Sequence, residues 1–162
     1  MEKSEESIPD RIKKGTIPVL ERLNALDKDQ LHAVLATDSD GQPYTSMIAY
    51  ALTPDKKGIV FVTPQKTRKY KNILKNNRVS ILIDTRSNTE KDYMSAESLT
   101  ILGNATHVRK GEKWSELAGV LTRKHPNLNQ IIHSPETKLI FVQINRCIHV
   151  TGFQTVSEWI SR

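Results

Sequence analysis

A basic segment between residues 56 and 83 carries the residue types that could bind an anion. It holds eight lysine or arginine residues and no aspartate or glutamate. Thr67 is a favourable residue for a helix N-cap, where free backbone N–H groups and the positive end of the helix dipole meet. Arg68 and Lys69 follow directly and add two mobile cations. A phosphate monoester matches this set of donors.

The same segment has a simpler interpretation as a solvated charged face, because runs of like charge are usually exposed. The formal net charge is +6, which permits an anionic ligand, nucleic acid or a membrane surface without selecting among them. Tyr70 is the only aromatic residue in the predicted helix of this segment, and no groove-reading motif is present. We therefore predict no nucleic-acid partner.

Length and composition are typical of one domain. The chain has 162 residues, of which 37% are hydrophobic. Cys147 is the only cysteine, which excludes an intrachain disulfide and a cysteine metal cluster and favours a small buried side chain. No apolar run has the length of a membrane span, and the polar N-terminus lacks a signal-peptide core. These features predict a cytoplasmic protein without a membrane partner.

Short strands and turns dominate the hydrophobic pattern. The pattern predicts helices over residues 17–26, 67–75, 114–124 and 127–133, and strands over 31–37, 44–52, 58–63, 78–83 and 98–108. Residues 137–151 form one long strand or two, and residues 152–160 an edge strand or a tail helix. Because the first turns are too short for crossover helices, the sheet is antiparallel. The fold class is mainly β with helices (α+β), a small barrel with a bulge at Gly103.

Several motifs occur in an order that indicates a family. They are residues 33–37 with the turn that follows, 43–47, 62–63, 67–73, 78–80, 84–88 with Asp92, and 100–105. With this order and spacing, residues 31–153 resemble the pyridoxamine 5'-phosphate oxidase-like family, the FMN-binding split β-barrels. The resemblance implies a six-stranded antiparallel split β-barrel and a homodimer with FMN at the subunit interface. We expect an N-terminal arm and helix over residues 1–29, then the FMN-binding domain that the resemblance implies over 30–155, and a C-terminal tail over 156–162.

The resemblance assigns cofactor-binding residues by position. Thr67, Arg68 and Lys69 would hold the FMN phosphate, and Asn72 would support that turn. Thr63 and the backbone of four strand residues would line the ribityl chain and the flavin ring; these four are Thr45, Ser46, Met47 and Ile48. Arg86 and Asn88 would reach the flavin or its phosphate from the same or the other subunit.

The function implied is that of an FMN-dependent oxidoreductase acting on an unidentified small substrate. The C-terminal residues 152–162 do not carry the arginine and histidine motif with which pyridoxine-phosphate oxidases hold their substrate, so vitamin B6 oxidation is not predicted. A non-enzymatic FMN carrier or electron-transfer module is one alternative. Deazaflavin or heme is another, with His149 as the candidate heme ligand. No metal site and no catalytic acid are predicted.

Overall fold

A computed structural model describes residues 18–152 and 155–161 of the chain, so residues 1–17 of the predicted N-terminal arm and helix lie outside the described residues. Seven strands are present: β1 (His32–Ser39), β2 (Gln42–Leu52), β3 (Gly58–Pro64), β4 (Arg78–Asp84), β5 (Glu97–Val108), β6 (Thr137–Thr151) and β7 (Thr155–Ile160). The helices are α1 (Val19–Asp29), α2 (Arg68–Lys75), α3 (Asp92–Ser95), α4 (Glu112–Lys124) and α5 (Asn129–Ile132), with a 3-10 turn at Pro126–Leu128 before α5.

Six of the strands close into an antiparallel barrel. Their order is β3-β2-β1-β4-β5-β6, and β6 pairs back onto β3 to complete the ring. The predicted fold class, a six-stranded split barrel with added helices, is therefore confirmed. Residues 137–151 form the single strand β6, and the end of the chain adds β7 to its outer edge.

Alternation along the strands fills the barrel with aliphatic side chains. One row across the sheet runs through Leu35, Ile81, Ile101 and Cys147, all fully buried. Burial raises the pKa of the Cys147 thiol to about 12, so the thiol stays protonated and unreactive, as predicted for a small core residue. The pairing of β5 with β6 shifts register between Leu102 and Gly103, which confirms the predicted bulge.

Gly103 occupies a position that no larger residue could fill without movement. A Cβ at this residue would lie 2.3 Å from the Gln143 carbonyl oxygen and 2.8 Å from the Val142 side chain. The glycine therefore lets β6 pass closely across the bulge.

Helices cover both ends and one side of the barrel. Leu23 and Leu26 of α1 enter the core at the end where β1 begins, while Tyr70 and Ile73 of α2 enter it at the end where β1 finishes. The apolar face of α4 packs on the outer surface of β2 and β3, in a second cluster around Leu121. None of the helices in the described ranges combines the length and the apolar character needed to cross a bilayer.

Candidate functional site

The barrel is split between β2 and β3, and the split exposes one edge of β2. β2 pairs with β1 along residues 42–49, but with β3 only through Tyr50–Leu52. The later part of β3 pairs on its other side with β6. Within residues 18–152 and 155–161, the β3-facing edge of Thr45–Ile48 consequently has no strand partner. A row of free backbone N–H and C=O groups is therefore available to a ligand.

Side chains in this open edge alternate between the two faces of the sheet. Ser46 is paired across β1 with core residue Leu35, so its side chain faces the interior, and Ile48 is buried there. Thr45 and Met47 face outward, and Met47 is 69% exposed. The Ser46 hydroxyl is buried and has no hydrogen-bond partner among the described residues. At Ser46 and Ile48, any contact with a bound group in the split would come from the backbone.

The start of α2 lies beside the split because β3 ends there. Pro64 closes the strand, and the Thr67 hydroxyl donates to the Pro64 carbonyl at 2.9 Å. The same oxygen accepts from the Tyr70 N–H at 3.4 Å, so Thr67 is the N-cap that the sequence predicts. The buried Thr63 hydroxyl lies 2.7 Å from it. These contacts fix the direction of the first turn of α2.

Asn72 anchors the other side of α2 to the barrel. Its amide donates to the Thr37 hydroxyl of β1 at 3.0 Å, and both side chains are buried. The predicted supporting role of Asn72 thus has a defined partner. Thr37 was not among the residues predicted for the site. The available signal was a polar residue at a position of β1 where alternation predicts a buried side chain.

The electrostatic character of this helix start is strongly positive. Among the described residues, the N–H groups of Arg68 and Lys69 have no protein acceptor, as expected for the first turn of a helix. The first turn contains no acidic residue, and neither side chain forms an ion pair within the described ranges. The Arg68 guanidinium lies 5.8 Å from the centre of the exposed Tyr44 ring. This turn presents backbone and cationic donors in one place, while the Thr67 hydroxyl proton is already donated to Pro64.

Arg86 and Asn88 lie at the opposite end of the barrel from Thr67. β4 starts near α2 and spans about 20 Å before the loop that holds them. The Asp92 carboxylate orders this loop by accepting the N–H groups of Ser87 and Asn88, and these bonds lower the pKa of Asp92. Asp92 therefore acts as the cap of this loop. The chain therefore brings together the predicted phosphate and ring residues, but not Arg86 or Asn88.

The histidine considered as a heme ligand is already engaged. His149 is 5% exposed, and its Nε2 lies 2.7 Å from a carboxylate oxygen of Glu97. Arg22 of α1 donates to the same carboxylate. A heme iron would have to displace this contact to use Nε2. Across the described ranges, no group of histidine, cysteine, aspartate or glutamate residues has the arrangement of a metal site.

A broad outer face of the sheet has no covering helix in the described part of the chain. One outward row runs through Val34, Leu82, Thr100 and Ile148. These four side chains are half-buried. Met47 continues the row onto β2, next to the open edge. This row is mostly apolar and adjoins the candidate site.

Comparison with known proteins identifies the relatives of this architecture. The sequence profile of the family described as pyridoxamine 5'-phosphate oxidase matches residues 20–151. No curated protein is detectably similar in sequence. A heme-binding protein from Mycobacterium smegmatis superimposes with a TM-score of 0.78 at 17% identity, over 90% of this chain but only 59% of that one.

Two further solved structures show the same fold. HutZ, the heme storage protein from Vibrio cholerae, has a TM-score of 0.67 at 18% identity, over 87% of this chain and 94% of that one. A FAD-binding protein from Mesorhizobium loti has a TM-score of 0.61 at 18% identity, over 82% and 94%. Identities this low establish the fold alone, so the ligands of these proteins do not by themselves assign one here.

Proposed function

Because the chain belongs to the pyridoxamine 5'-phosphate oxidase family, we propose that it is an FMN-binding flavoprotein and an oxidoreductase acting on a small molecule. The observation that carries this proposal is the adjacency of two unsatisfied surfaces. One is the open edge of Thr45–Ile48, and the other is the cationic first turn at Thr67–Lys69. FMN has a group that matches each surface: the polar edge of its ring matches the open strand edge, and its phosphate matches the cationic turn.

The hydrogen-bonding groups at this site match those of FMN. Arg68, Lys69 and the free N–H groups of the first turn supply charge-assisted hydrogen bonds to a phosphate. The open strand edge supplies the alternating donors and acceptors that match the pyrimidine part of a flavin ring. Thr63 is proposed to lie against the ribityl chain, and its buried hydroxyl joins the end of β3 to the helix start through Thr67.

Bound FMN would accept a hydride or electrons from a reduced donor and pass them to an acceptor. The protein's contribution is to hold and orient the cofactor and to set its electrostatic surroundings. Lys69 places a positive charge at this site, which favours the anionic reduced form of a flavin. In the described residues we find no acid positioned beside the open edge, so we assign no proton donor.

We propose a homodimer formed through the outer sheet face that contains Val34 and Leu82. This face supplies the apolar surface that a stable interface needs. In such a dimer, Arg86 and Asn88 would reach the flavin site of the second protomer. That arrangement would explain why the two residues lie far from Thr67 within one chain. The oxidoreductase assignment, rather than a passive FMN carrier, rests on family membership alone.

Heme is the second candidate, because two of the structural neighbours bind or store it. The geometry of this chain favours FMN instead. The cationic turn could pair with a heme propionate, but a porphyrin ring has no hydrogen-bonding edge for the open strand, and the Nε2 of His149 is bonded to Glu97. Deazaflavin cofactors share the polar ring and phosphate of FMN, so the chromophore itself must be identified.

The deciding measurement is the absorption spectrum of freshly purified protein, followed by mass identification of the released chromophore. We expect a flavin spectrum and FMN. A colourless protein that also rejects added FMN would refute the proposal, whereas a Soret band with added hemin would support the heme alternative.

The site assignment is tested with Arg68→Ala/Lys69→Ala. We expect FMN affinity to fall at least tenfold, because two charge-assisted contacts to phosphate are lost, while the unfolding midpoint changes little. Flavin fluorescence quenching measures the affinity. The matched control is Lys28→Ala/Lys57→Ala, which removes two exposed cations from the other end of the barrel. Equal affinity in the two variants would contradict the assignment.

A further inference from the structure

A second basic surface adjoins the proposed phosphate site. It is a groove of about 710 Å³ between α2 and the β1–β2 turn. The groove is lined by Ser39, Asp40, Gln42, Lys66, Arg68, Lys71, Asn72, Leu74 and Lys75. It shares Arg68 and Asn72 with the helix start described above, so the two surfaces are continuous.

The groove has more positive charge than the phosphate of FMN requires. Four cationic side chains line it against one carboxylate, that of Asp40. Asp40 lies 3.7 Å from Lys75, and both side chains are largely exposed, which makes this a weak pair. Lys66 and Lys71 have no ion-pair partner in the described ranges. If FMN uses Arg68 and Lys69, three lysines remain for another anionic group.

The spacing of the cationic side chains destabilises α2. Arg68, Lys71 and Lys75 lie three and four residues apart, on one face of α2. Like charges at this spacing repel each other and weaken a helix, and α2 has no acidic residue in its first turn to compensate. A bound anion would turn this repulsion into attraction.

Uncharged surface in the same region suits a nucleotide. The Tyr44 ring is 39% exposed and lies under Arg68, and the Leu74 side chain is 62% exposed at the groove wall. Aromatic rings and guanidinium planes are the usual stacking partners of a base. The groove thus offers cations for phosphates and flat or apolar surface for an adenine.

We propose that this groove binds the adenosine diphosphate moiety of a dinucleotide whose other half reaches the flavin site. The moiety has two possible sources, FAD as the bound flavin or a reduced nicotinamide dinucleotide as the electron donor. The connection to the flavin site rests on the proposed function. Binding of ADP itself does not require a flavin.

ADP binding to the full-length protein, measured by equilibrium dialysis with and without saturating FMN, tests the groove. We expect Lys71→Ala/Lys75→Ala to weaken ADP binding at least tenfold, while the control Lys28→Ala/Lys57→Ala stays within twofold of wild type. The unfolding midpoint of the groove variant should not fall, because repulsion on α2 is relieved. Absence of ADP binding, an equal loss in the control, or equally tight binding of inorganic diphosphate would overturn the proposal.

Two further binding measurements distinguish FAD from a reduced nicotinamide dinucleotide as the source of the adenosine diphosphate moiety. Tighter binding of FAD than of FMN, with the difference abolished in Lys71→Ala/Lys75→Ala, assigns the moiety to FAD. Tighter binding of NADPH or NADH than of ADP by FMN-loaded protein, abolished in the same variant, assigns it to the donor. If FAD binds no more tightly than FMN, and NADPH and NADH bind no more tightly than ADP, the dinucleotide proposal fails even though ADP binds. Failure of the flavin proposal would be separate, since it would appear as absent FMN binding in wild type.

Discussion

Thr67 joins three features of the site through one hydroxyl group. It donates to the Pro64 carbonyl, accepts from the Tyr70 N–H and lies within hydrogen-bond distance of Thr63. The residue therefore sets where β3 ends and where α2 begins. A change at Thr67 should alter the stability of the fold as well as the proposed phosphate contact.

Replacement of Thr67 by valine keeps the side-chain shape and removes the hydroxyl. We expect Thr67→Val to lower the free energy of unfolding by about 1 kcal/mol, the usual effect of losing an N-cap. Thr67→Ser keeps the capping hydroxyl, so we expect its free energy of unfolding to fall by no more than about half as much. Urea denaturation measures both. Equal stability of the two variants would show that the cap contributes nothing here.

At the residue scale, local rules predict part of the site and miss the rest. Thr67 and Gly103 could be identified because a cap and a bulge each depend on nearby sequence. The Asn72–Thr37 hydrogen bond joins residues 35 positions apart, so no local pattern specifies it. Asn72 entered the prediction through family resemblance, whereas its partner Thr37 did not.

At the element scale, α1 is held to the barrel by two charged clusters. Arg22 and His149 both contact the Glu97 carboxylate. Asp27 pairs with Lys124 of α4 at 2.8 Å and also accepts the Leu52 N–H at 2.9 Å. Burial lowers the pKa of the Lys124 ammonium, although the contact with Asp27 opposes this shift. These clusters tie α1 to β2, β5, β6 and α4.

The Glu97 cluster should make the stability of the protein depend on pH. Burial pushes the pKa of Glu97 upward, but hydrogen bonds from Arg22 and His149 outweigh it and leave the pKa below its ordinary value of 4.5. A carboxylate with a lowered pKa stabilises the fold above pH 4.5, and this contribution is lost as pH falls through the folded-state pKa.

Glu97→Gln tests this contribution directly. At pH 7 we expect it to lower the free energy of unfolding by about 1.5–3 kcal/mol, the range for hydrogen bonds to a charged group. The difference from wild type should shrink as pH falls below 4.5. Urea denaturation at several pH values measures it, with the exposed Glu90→Gln as control. A difference that stays constant down to pH 3 would contradict the assignment.

The bounds of some strands and helices follow from the sequence more closely than those of others. The hairpin of β1 and β2 and the unit from β3 through α2 to β4 follow from alternation, turn residues and helical spacing, and their bounds shift by only one or two residues. The continuity of β6 across residues 145–146 could not be predicted, since it depends on pairing with β3, β5 and β7 at once. Such pairing is a property of the closed barrel.

For the whole molecule, the uncovered outer face of the sheet is the main expected determinant of assembly. Leu82 lies on that face, between Val34 of β1 and Thr100 of β5. We expect Leu82→Glu to convert a dimer into a monomer, because burying an unpaired carboxylate in an apolar interface is strongly unfavourable. FMN affinity should fall with it if the site is shared between protomers.

Size-exclusion chromatography with light scattering measures this assembly. The control is Ser115→Glu on the exposed side of α4, which should remain dimeric with wild-type flavin content. A wild-type protein that is monomeric at every concentration would refute the shared-site arrangement. A monomeric Leu82→Glu variant with full FMN affinity would place the entire site within one chain.

The open edge of β2 also has a consequence for the protein before any cofactor arrives. A strand with unpaired backbone groups is a template for pairing with the same strand of another molecule, and native proteins usually block such edges. In the described residues, no charged side chain lies within Thr45–Ile48 to discourage this pairing. A ligand seated along the edge would remove the template. The supply of flavin during synthesis would then determine how much of the protein escapes aggregation, in addition to how much of it can carry out redox chemistry.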